Sequence, residues 1–208
     1  MTKNRCVIIC AGEQGNMTFS PEATDFVICC DAGYKAAERL GITPDLIMGD
    51  FDSYDGKLPE NVETMRFPVE KDDTDSMLAI REGLKRGFKD FVLLFSLGGR
   101  LDHTMANIQA LAFLLENGAE GELVGPDDRV RLLKDGKREI PYREGWNFSL
   151  FAFGDKAEGV TLTGTQYLLM NYTVTQSFPI GMGNHIIGPK GSVFVRNGTL
   201  LLMESRIR

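Results

Sequence analysis

Short apolar runs alternate with amphipathic helical patterns over about the first 120 residues, and this alternation leaves few possible folds. The apolar runs have the length and residue types of buried strands, and they are Arg5–Ala11, Asp25–Cys30, Leu46–Met48, Val62–Phe67 and Asp90–Ser96. Helical patterns occupy Tyr34–Leu40, Asp73–Gly87 and Leu101–Asn117. Such an alternation predicts a doubly wound, mostly parallel α/β sheet.

The helical patterns also contain start, stop and packing signals. Asp72 or Asp73 is expected to cap the second helix, and Gly41 and Gly118 are expected to end the first and the third. Apolar residues at helical spacing predict the buried faces, which are Met77, Leu78, Ile80 and Leu84 in the second helix and Met105, Ile108, Ala112 and Leu115 in the third.

The pattern changes near residue 125. From Glu122 onward, β-type runs replace the helices, and they are Val130–Leu133, Asn147–Phe153, Gly159–Leu162, Tyr167–Val174, Ser192–Val195 and Leu200–Glu204. Short strands at this spacing predict a small all-β sandwich or barrel, with a hairpin turn at Asn197-Gly198. We therefore expect an α/β domain over residues 1–126 and a β-sandwich domain over 139–208, joined by a linker at about 127–138.

Charge and composition exclude several classes of protein. The net charge of −6 disfavours a nucleic-acid binder, which needs a basic surface. No apolar run approaches the length of a transmembrane span, and residues 1–20 lack the apolar core of a signal peptide. The four cysteines lack the spacing of a zinc site and are typical of buried, reduced thiols. We predict a cytoplasmic protein that has neither a nucleic acid nor a membrane as partner.

Two carboxylates directly follow the apolar run Leu46–Met48. Gly49 is expected to end that strand, so Asp50 and Asp52 lie in the loop after it. Carboxylates one residue apart at such a position can hold a hard cation such as Mg²⁺ through oxygen. Since ligands of parallel sheets bind at the carboxyl ends of the strands, Asp31 is expected at the same edge.

A glycine-rich loop precedes the third helix. Gly98 and Gly99 allow the backbone to approach an anion, and the helix N-terminus adds exposed N–H groups. Arg100 adds a bidentate phosphate donor. A glycine pair also occurs in loops that only turn the chain, so the motif is informative only in its strand–loop–helix setting.

Five carboxylates are predicted near this edge of the sheet, and they are Asp50, Asp52, Asp72, Asp75 and Asp102. For any single member of the Asp72, Asp73 and Asp75 group, a role in capping the helix or stabilising its first turn is favoured. Together the five carboxylates would repel one another strongly unless a cation neutralised them. Their number therefore favours a metal–polyphosphate site.

Two common catalytic motifs are missing from the sequence. There is no G-x-x-x-x-G-K-[ST] loop, which excludes a Walker-type nucleotide site. No G-x-S-x-G motif surrounds Ser53, which disfavours a hydrolase triad. His103 and His185 are far apart in sequence, and structural roles are favoured for both because imidazole suits softer ions than a carboxylate-rich site selects.

Taken together, these segments resemble the thiamine pyrophosphokinase family in its bacterial, single-function form. The matching stretches are Asp31-Ala32-Gly33, Pro44-Asp45-x-x-x-Gly49-Asp50-Phe51-Asp52-Ser53, Lys71-Asp72-x-Thr74-Asp75 and Gly98-Gly99-Arg100-Leu101-Asp102-His103-x-x-x-Asn107. Gly164-x-x-Tyr167 and Gly183-Asn184 match more loosely. The resemblance covers nearly the whole chain, including the order of its two domains.

The resemblance implies an activity and an assembly. The reaction is the Mg²⁺-dependent transfer of a pyrophosphoryl group from ATP to the hydroxyethyl oxygen of thiamine, which gives thiamine diphosphate and AMP. The assembly is a homodimer, in which the thiamine site lies between the α/β domain of one subunit and the β domain of the other.

The resemblance also implies residue roles. Mg²⁺ is expected on Asp50, Asp52 and Asp75. ATP is expected on Asp31, Gly33, Lys71, Gly98, Gly99, Arg100 and Asn107. Thiamine is expected near Asp72 and Asp102, with Tyr167 stacked on its pyrimidine ring and Asn184 hydrogen-bonding nearby. The catalytic set is Asp50, Asp52, Asp75, Arg100 and Asp102, of which Asp75 and Asp102 are the candidate bases. Gly183 stands where the family often has Ser.

Two other functions fit part of the sequence. Asp50-Phe51-Asp52-Ser53 looks like the D-x-D motif of an aspartate-nucleophile phosphatase, which forms a phospho-aspartate at the first carboxylate. That function leaves the Gly98–His103 segment without a role. The second alternative is a non-catalytic module that binds thiamine or a nucleotide.

Overall fold

The computed structural model of the protein describes residues 4–51, 58–68 and 72–207. Its chain divides into two units, Met1–Pro126 and Asp127–Arg208. Among the described residues, every helix lies in the first unit and the second unit contains strands. The predicted order of an α/β region followed by a β region is therefore confirmed. No helix in the described part of the chain is long and apolar enough to cross a membrane.

A parallel sheet forms the centre of the first unit. Its strands lie side by side in the order β6-β5-β1-β2-β3-β4, and each neighbouring pair is parallel. The strand bounds are β1 (Arg5–Ile9), β2 (Asp25–Cys30), β3 (Leu46–Gly49), β4 (Glu63–Arg66), β5 (Asp90–Leu94) and β6 (Glu120–Val124). Most of these strands are nearly continuous apolar runs because the sheet is covered on both faces.

Helices cover both faces of this sheet. Helix α1 (Gly33–Leu40) contributes Ala36 and Ala37 to the same apolar cluster as Val7 of β1. Helix α2 (Asp75–Lys85) packs on the opposite face, where a Cβ on its Gly83 would meet the Sγ of Cys6. Helix α3 (Leu101–Glu116) lies beside α2, since Arg81 of α2 stacks over the ring of Phe113.

The strand order places a switch point between β1 and β5. From β1 the chain proceeds through β2 and β3 to one edge of the sheet, whereas β5 and β6 lie on the other side of β1. The connections that leave the carboxyl ends of β1 and β5 therefore diverge. In open parallel sheets this divergence creates the crevice in which ligands bind.

The second unit is built from antiparallel strands. The long strand β11 (Lys190–Arg206) pairs with β7 (Asp128–Pro141) along its length. Its first part also pairs with β9 (Lys156–Thr163), and its last part pairs with β8 (Trp146–Ala152). Strand β10 (Leu169–Thr175) pairs with β9. The alternate inward-facing residues of these strands form one apolar core, in which Phe148, Leu150, Val160, Leu162, Val193 and Leu200 are fully buried.

Two predictions about the second unit are wrong. The proposed linker at about 127–138 is instead most of strand β7. This strand pairs with β11 from Asp128, which lies opposite Ser205, to Pro141, which lies opposite Lys190. The predicted hairpin at Asn197-Gly198 is a register shift inside β11, which continues in the same direction. Gly198 has φ +107 and its N–H donates to the Oδ1 of Asp135 at 2.8 Å. The Asn197-Gly198 pair therefore lies in a β-bulge and does not form a hairpin turn.

Details of two helices also differ from the sequence pattern. Helix α2 is capped by Thr74, whose Oγ1 accepts from the Met77 N–H at 3.3 Å, and not by Asp72 or Asp73. Its most buried residues are Ala79, Ile80 and Gly83. In α3 the buried face is Asn107, Ile108, Ala110, Leu111 and Leu114, and the predicted Met105 is exposed. Apolar residues occupy most of α3, so periodicity alone could not select the buried face.

Candidate active site

A cavity of about 650 Å³ lies at the switch point of the first unit. Its walls come from the segments that follow β1, β2 and β5 and from the first turns of α2 and α3. The lining residues include Asp31, Asp75, Gly98, Gly99, Arg100 and Asn107. Six of the residues that the sequence predicted for ATP or metal binding are therefore brought together.

The floor of the cavity is formed where β1 and β2 end. Cys10 and Cys30 line it, and the Cys30 thiol donates to the backbone oxygen of Asp75 at 3.5 Å. The hydrogen bond with Cys10 and complete burial raise the pKa of the Cys30 thiol well above its ordinary value. Cys30 is therefore an uncharged structural group that joins β2 to the start of α2.

Asp31 lies at the rim of this floor in an unusual backbone conformation. Its φ is +42°, and its N–H donates to the Met48 oxygen of the next strand. A Cβ on Gly49 would come within 2.9 Å of the Asp31 Cα. The glycine at the end of β3 therefore allows the two strand ends to approach closely, and Asp31 is part of the cavity lining.

The glycine loop after β5 has the geometry expected for anion binding. Gly98 and Gly99 have φ values of +81° and +65°, which side-chain-bearing residues rarely adopt. Gly98 also lies against Glu13, since a Cβ there would be 2.4 Å from the Glu13 Oε2. The loop leads directly into α3, so the N–H groups of the first turn face the same region.

Arg100 is the N-cap residue of α3, and its guanidinium is exposed. It forms two hydrogen bonds with Asp102, from Nε at 3.2 Å and from Nη2 at 2.6 Å. This pair lowers the pKa of the Asp102 carboxyl, with a smaller contribution from the His103 N–H. The same pair raises the pKa of Arg100. Asp102 itself does not line the cavity.

Asn107 supports the cavity wall from within α3. It is 8% exposed, and its Nδ2 donates to the Ser96 oxygen at 2.8 Å. Its Oδ1 accepts from the Ser76 hydroxyl at 2.9 Å. These bonds join α3, α2 and the end of β5. Asn107 lines the cavity, but most of its polar capacity is used to hold the three segments together.

The predicted carboxylates are less concentrated than expected. Asp75 lines the cavity, whereas Asp72 and Asp50, although described, are absent from the lining. Within the described ranges 4–51, 58–68 and 72–207, no three His, Cys, Asp or Glu side chains are grouped closely enough to hold a metal ion. Asp52 and Lys71 lie outside the described residues. The predicted crowding is therefore not seen among the described carboxylates, and the set that includes Asp52 stays a prediction.

Gly33 has a packing role, and its expected contact with ATP stays a prediction. It is buried at the start of α1, and a Cβ there would lie 2.1 Å from the Ile9 oxygen. It does not line the cavity. Glycine is required at this position because α1 begins directly against β1.

Tyr167 and Asn184 lie in the second unit and differ sharply in exposure. The Tyr167 side chain is 63% exposed, whereas Asn184 is 4% exposed. The Oδ1 of Asn184 accepts from the N–H groups of Tyr167 and His185 at 3.0 and 2.8 Å. Its Nδ2 donates to the Tyr167 oxygen at 2.7 Å. Both lone pairs of the Asn184 oxygen are therefore used by the main chain.

Sequence reasoning missed several residues of these sites. Glu13 and Ser76 line the cavity, and Thr165 is fully buried beside Tyr167. The N–H of Gly183 donates to the Ser149 hydroxyl at 3.0 Å, and a Cβ on Gly183 would face open space. Only the polar character of Ser76, between Asp75 and an apolar helix, gave a signal.

Two family models match the chain. The catalytic domain of thiamin pyrophosphokinase matches residues 20–120, and the vitamin B1 binding domain of thiamin pyrophosphokinase matches residues 137–200. A thiamine pyrophosphokinase of Bacillus subtilis is 28% identical over 182 residues, which cover 84% of this chain and 85% of the relative.

Solved structures resemble the whole chain. A crystal structure of thiamine pyrophosphokinase from Bacillus subtilis gives a TM-score of 0.89 at 24% identity and covers 99% of this chain and 100% of that chain. The thiamin pyrophosphokinase of Geobacillus thermodenitrificans gives 0.81 at 22% identity, covering 96% and 97%. The thiamin pyrophosphokinase of Candida albicans gives 0.73 at 16% identity, covering 98% and 89%. These structural likenesses establish the fold.

Proposed function

The chain belongs to the thiamin pyrophosphokinase family, and we propose that it transfers the pyrophosphoryl group of ATP to the hydroxyethyl oxygen of thiamine, releasing AMP. The observation that carries this proposal is the cavity at the switch point. It combines the Gly98-Gly99-Arg100 segment with Asp75 in one space. The phosphatase gives the Gly98-Gly99-Arg100 segment no role, and a non-catalytic module would bind its ligands without producing AMP.

ATP is proposed to bind with its polyphosphate against the glycine loop. Gly98 and Gly99 allow the backbone to approach the phosphate oxygens, and the first turn of α3 supplies N–H groups. Arg100 would exchange its exposed contact with Asp102 for phosphate oxygens. Asp31 is proposed to contact the nucleotide, and the positively charged side chain of Lys71 is proposed to contact it as well.

Oxygen donors of the type that Mg²⁺ prefers are present in the cavity, since Asp31 and Asp75 both line it. We propose that Asp75 holds Mg²⁺ together with Asp50 and Asp52. When bound there, the ion would offset the charge of the polyphosphate. The residues of the chain then have to place the two substrates in line and exclude water, because this transfer depends on positioning and charge stabilisation.

We propose Asp75 rather than Asp102 as the acceptor of the thiamine hydroxyl proton on the ground of its position, since Mg²⁺ bound to Asp75 would weaken that base as well. Asp75 lines the cavity, and Asp102 does not. Arg100 lowers the pKa of Asp102, which makes that carboxylate a weaker base. We propose that Asp102 and Asp72 instead line the approach of thiamine.

We propose that the second unit is a small β-sandwich. It would supply the aromatic surface, here called the platform, on which thiamine stacks. Tyr167 presents an exposed ring on a fixed main chain, and such a ring can stack on a pyrimidine. We propose that the protein is a homodimer in which this platform faces the cavity of the partner subunit. The four free cysteines agree with a reducing compartment, and we propose that the protein acts in the cytoplasm.

The test is a product assay with purified protein, Mg²⁺, ATP and thiamine. Pyrophosphoryl transfer gives equal amounts of AMP and thiamine diphosphate, with no AMP when thiamine is omitted. A thiamine-dependent release of ADP would show phosphoryl transfer and would contradict the proposal. Thiamine-independent phosphate release with a phospho-aspartate at Asp50 would support the phosphatase.

A further inference from the structure

The main chain of Tyr167 is held from both sides, although its ring is exposed. Its N–H donates to the Asn184 Oδ1 at 3.0 Å, and its oxygen accepts from the Asn184 Nδ2 at 2.7 Å. The same oxygen accepts a second hydrogen bond, from the Thr165 hydroxyl at 2.9 Å. Two buried side chains therefore fix the main chain of an exposed residue.

Both of these side chains are anchored in the second unit. Thr165 is 1% exposed, and buried hydroxyls require a partner. Asn184 exchanges two backbone hydrogen bonds with Phe148 of β8, both at 2.8 Å. The Phe148 ring is fully buried in the apolar core. The position of Tyr167 is therefore linked to the core through Asn184.

The loop that carries Thr165 is fixed along the same segment. Thr165 forms an antiparallel bridge with Ile186, which is buried. The Gln166 N–H donates to the His185 oxygen at 2.8 Å, and the Ile187 N–H donates to the Gly164 oxygen at 3.0 Å. Main-chain hydrogen bonds thus hold residues 164–167 against residues 184–187, in addition to the bonds of the two side chains.

The result is a ring with little freedom on a rigid base. Once the main chain is fixed, only the two side-chain torsions of Tyr167 remain to be ordered by a ligand. Ordering a loop at the moment of binding reduces affinity, and an aromatic surface that is already in place avoids that loss. The polar atoms of Asn184 are used for this purpose, so a direct contact with a ligand is not its main role.

We propose that Thr165 and Asn184 are positioning residues that hold the Tyr167 ring in the orientation in which it stacks on the pyrimidine of thiamine. This inference rests on the proposed placement of thiamine on Tyr167. Thr165 and Asn184 then act on thiamine binding through Tyr167. They have no role in ATP binding.

The test compares steady-state kinetics of variants. Thr165→Val keeps the shape and removes the hydroxyl, and it is expected to raise the KM for thiamine about fivefold. The KM for ATP and the kcat at saturating thiamine are expected to stay within about twofold. Thr165→Ser restores the hydroxyl and is expected to restore the KM. Thr161→Val, which removes the hydroxyl that accepts from the Asn171 N–H, is the matched control.

The Tyr167→Ala variant distinguishes the positioning role of Thr165 and Asn184 from the proposed stacking of thiamine on Tyr167. If Tyr167 is the platform, Tyr167→Ala raises the KM for thiamine, and adding Thr165→Val raises it no further. Additive effects, or equal effects of Thr165→Val on both substrates, would overturn the positioning role. An unchanged thiamine KM in Tyr167→Ala would overturn the platform, whereas absence of AMP from the unmodified enzyme would overturn the proposed function itself.

A second variant covers the case in which Thr165→Val does not fold. Asn184→Asp keeps the acceptor oxygen and removes the Nδ2 donor to Tyr167. It is expected to raise the thiamine KM and to speed hydrogen exchange at the Tyr167 amide. Unchanged exchange and an unchanged thiamine KM in this folded variant would contradict the proposal.

Discussion

Asn107 and Asn184 show how differently the two units build a binding surface. Both were predicted as ligands, both are buried, and both join separate segments of the chain. Asn107 lines the cavity that it supports, and its two hydrogen bonds join α3 to α2 and to the segment after β5. Asn184 instead fixes the main chain of Tyr167, and the neighbouring ring forms the surface.

This difference follows from the two folds. A parallel sheet with helices on both faces brings several strand ends and helix starts to one point, so many side chains can share a cavity. An antiparallel sheet offers loops at its ends, and each loop has to be fixed by its own contacts. We expect chemistry to depend on the first unit and thiamine affinity to depend on the second.

Asp75→Asn is expected to have the largest effect on turnover. Asp75 is the cavity-lining carboxylate to which we assign metal binding and proton transfer, so kcat should fall by about 10²- to 10⁴-fold. Asp73→Asn is the matched control, because Asp73 lies outside the cavity lining and pairs with Arg81. Steady-state kinetics measure both. Similar kcat values for the two variants would show that Asp75 has no direct role in the reaction.

Alanine substitutions at Asn107 and Asn184 should affect the binding of different substrates. Asn107→Ala leaves the Ser96 oxygen and the Ser76 hydroxyl without this partner, and Asn184→Ala does the same to the Tyr167 main chain. Each is expected to lower the free energy of unfolding by about 1–3 kcal/mol. Asn107→Ala should raise mainly the KM for ATP, and Asn184→Ala mainly that for thiamine. Denaturant unfolding and kinetics measure these effects, and crossed effects would refute the comparison.

The two loop glycines should differ although they are neighbours. Both have positive φ, so alanine at either position should cost about 1–2 kcal/mol of folding stability. Gly98→Ala should cost more, because its Cβ would contact the Glu13 side chain, whereas a Cβ on Gly99 faces open space. Adding Glu13→Ala should recover part of the loss in Gly98→Ala alone. Thermal unfolding measures this order, and equal losses without recovery would contradict it.

Asp102→Asn is expected to have the smallest effect on stability. Arg100 lowers the folded-state pKa of Asp102, so the pair stabilises the fold above the ordinary pKa and this contribution is lost as pH falls through the lowered value. Because both side chains are exposed, the melting temperature at neutral pH should not change measurably. Its kcat should exceed that of Asp75→Asn. A lower kcat would make Asp102 the better candidate base.

The sheet of the first unit could be predicted from the sequence because its strands are buried on both faces. The apolar run Asp25–Cys30 matches β2 at both ends, and the stop at Gly41 was predicted from its conformational freedom. The convergence of Asp31, Asp75 and the Gly98–Arg100 loop followed from one rule about the carboxyl ends of parallel strands.

The missed features depend on contacts between distant segments. The bond between Asn184 and Tyr167 joins residues 17 positions apart, and no local pattern distinguishes such a buried amide from a ligand. The Gly198 bulge resembles a hairpin turn in sequence, and only the pairing of β11 with β7 shows that the strand continues. Ser76 and Thr165 act through single hydrogen bonds that no periodicity records.

The most direct test follows the β-phosphorus of ATP. Purified protein is incubated with Mg²⁺, thiamine and ATP radiolabelled at the β-phosphorus, and the products are separated by chromatography. Direct pyrophosphoryl transfer predicts that the label leaves the nucleotide and appears in thiamine diphosphate, in step with unlabelled AMP. Label that stays in ADP, or a thiamine product without label, would contradict the function that we assign to the cavity.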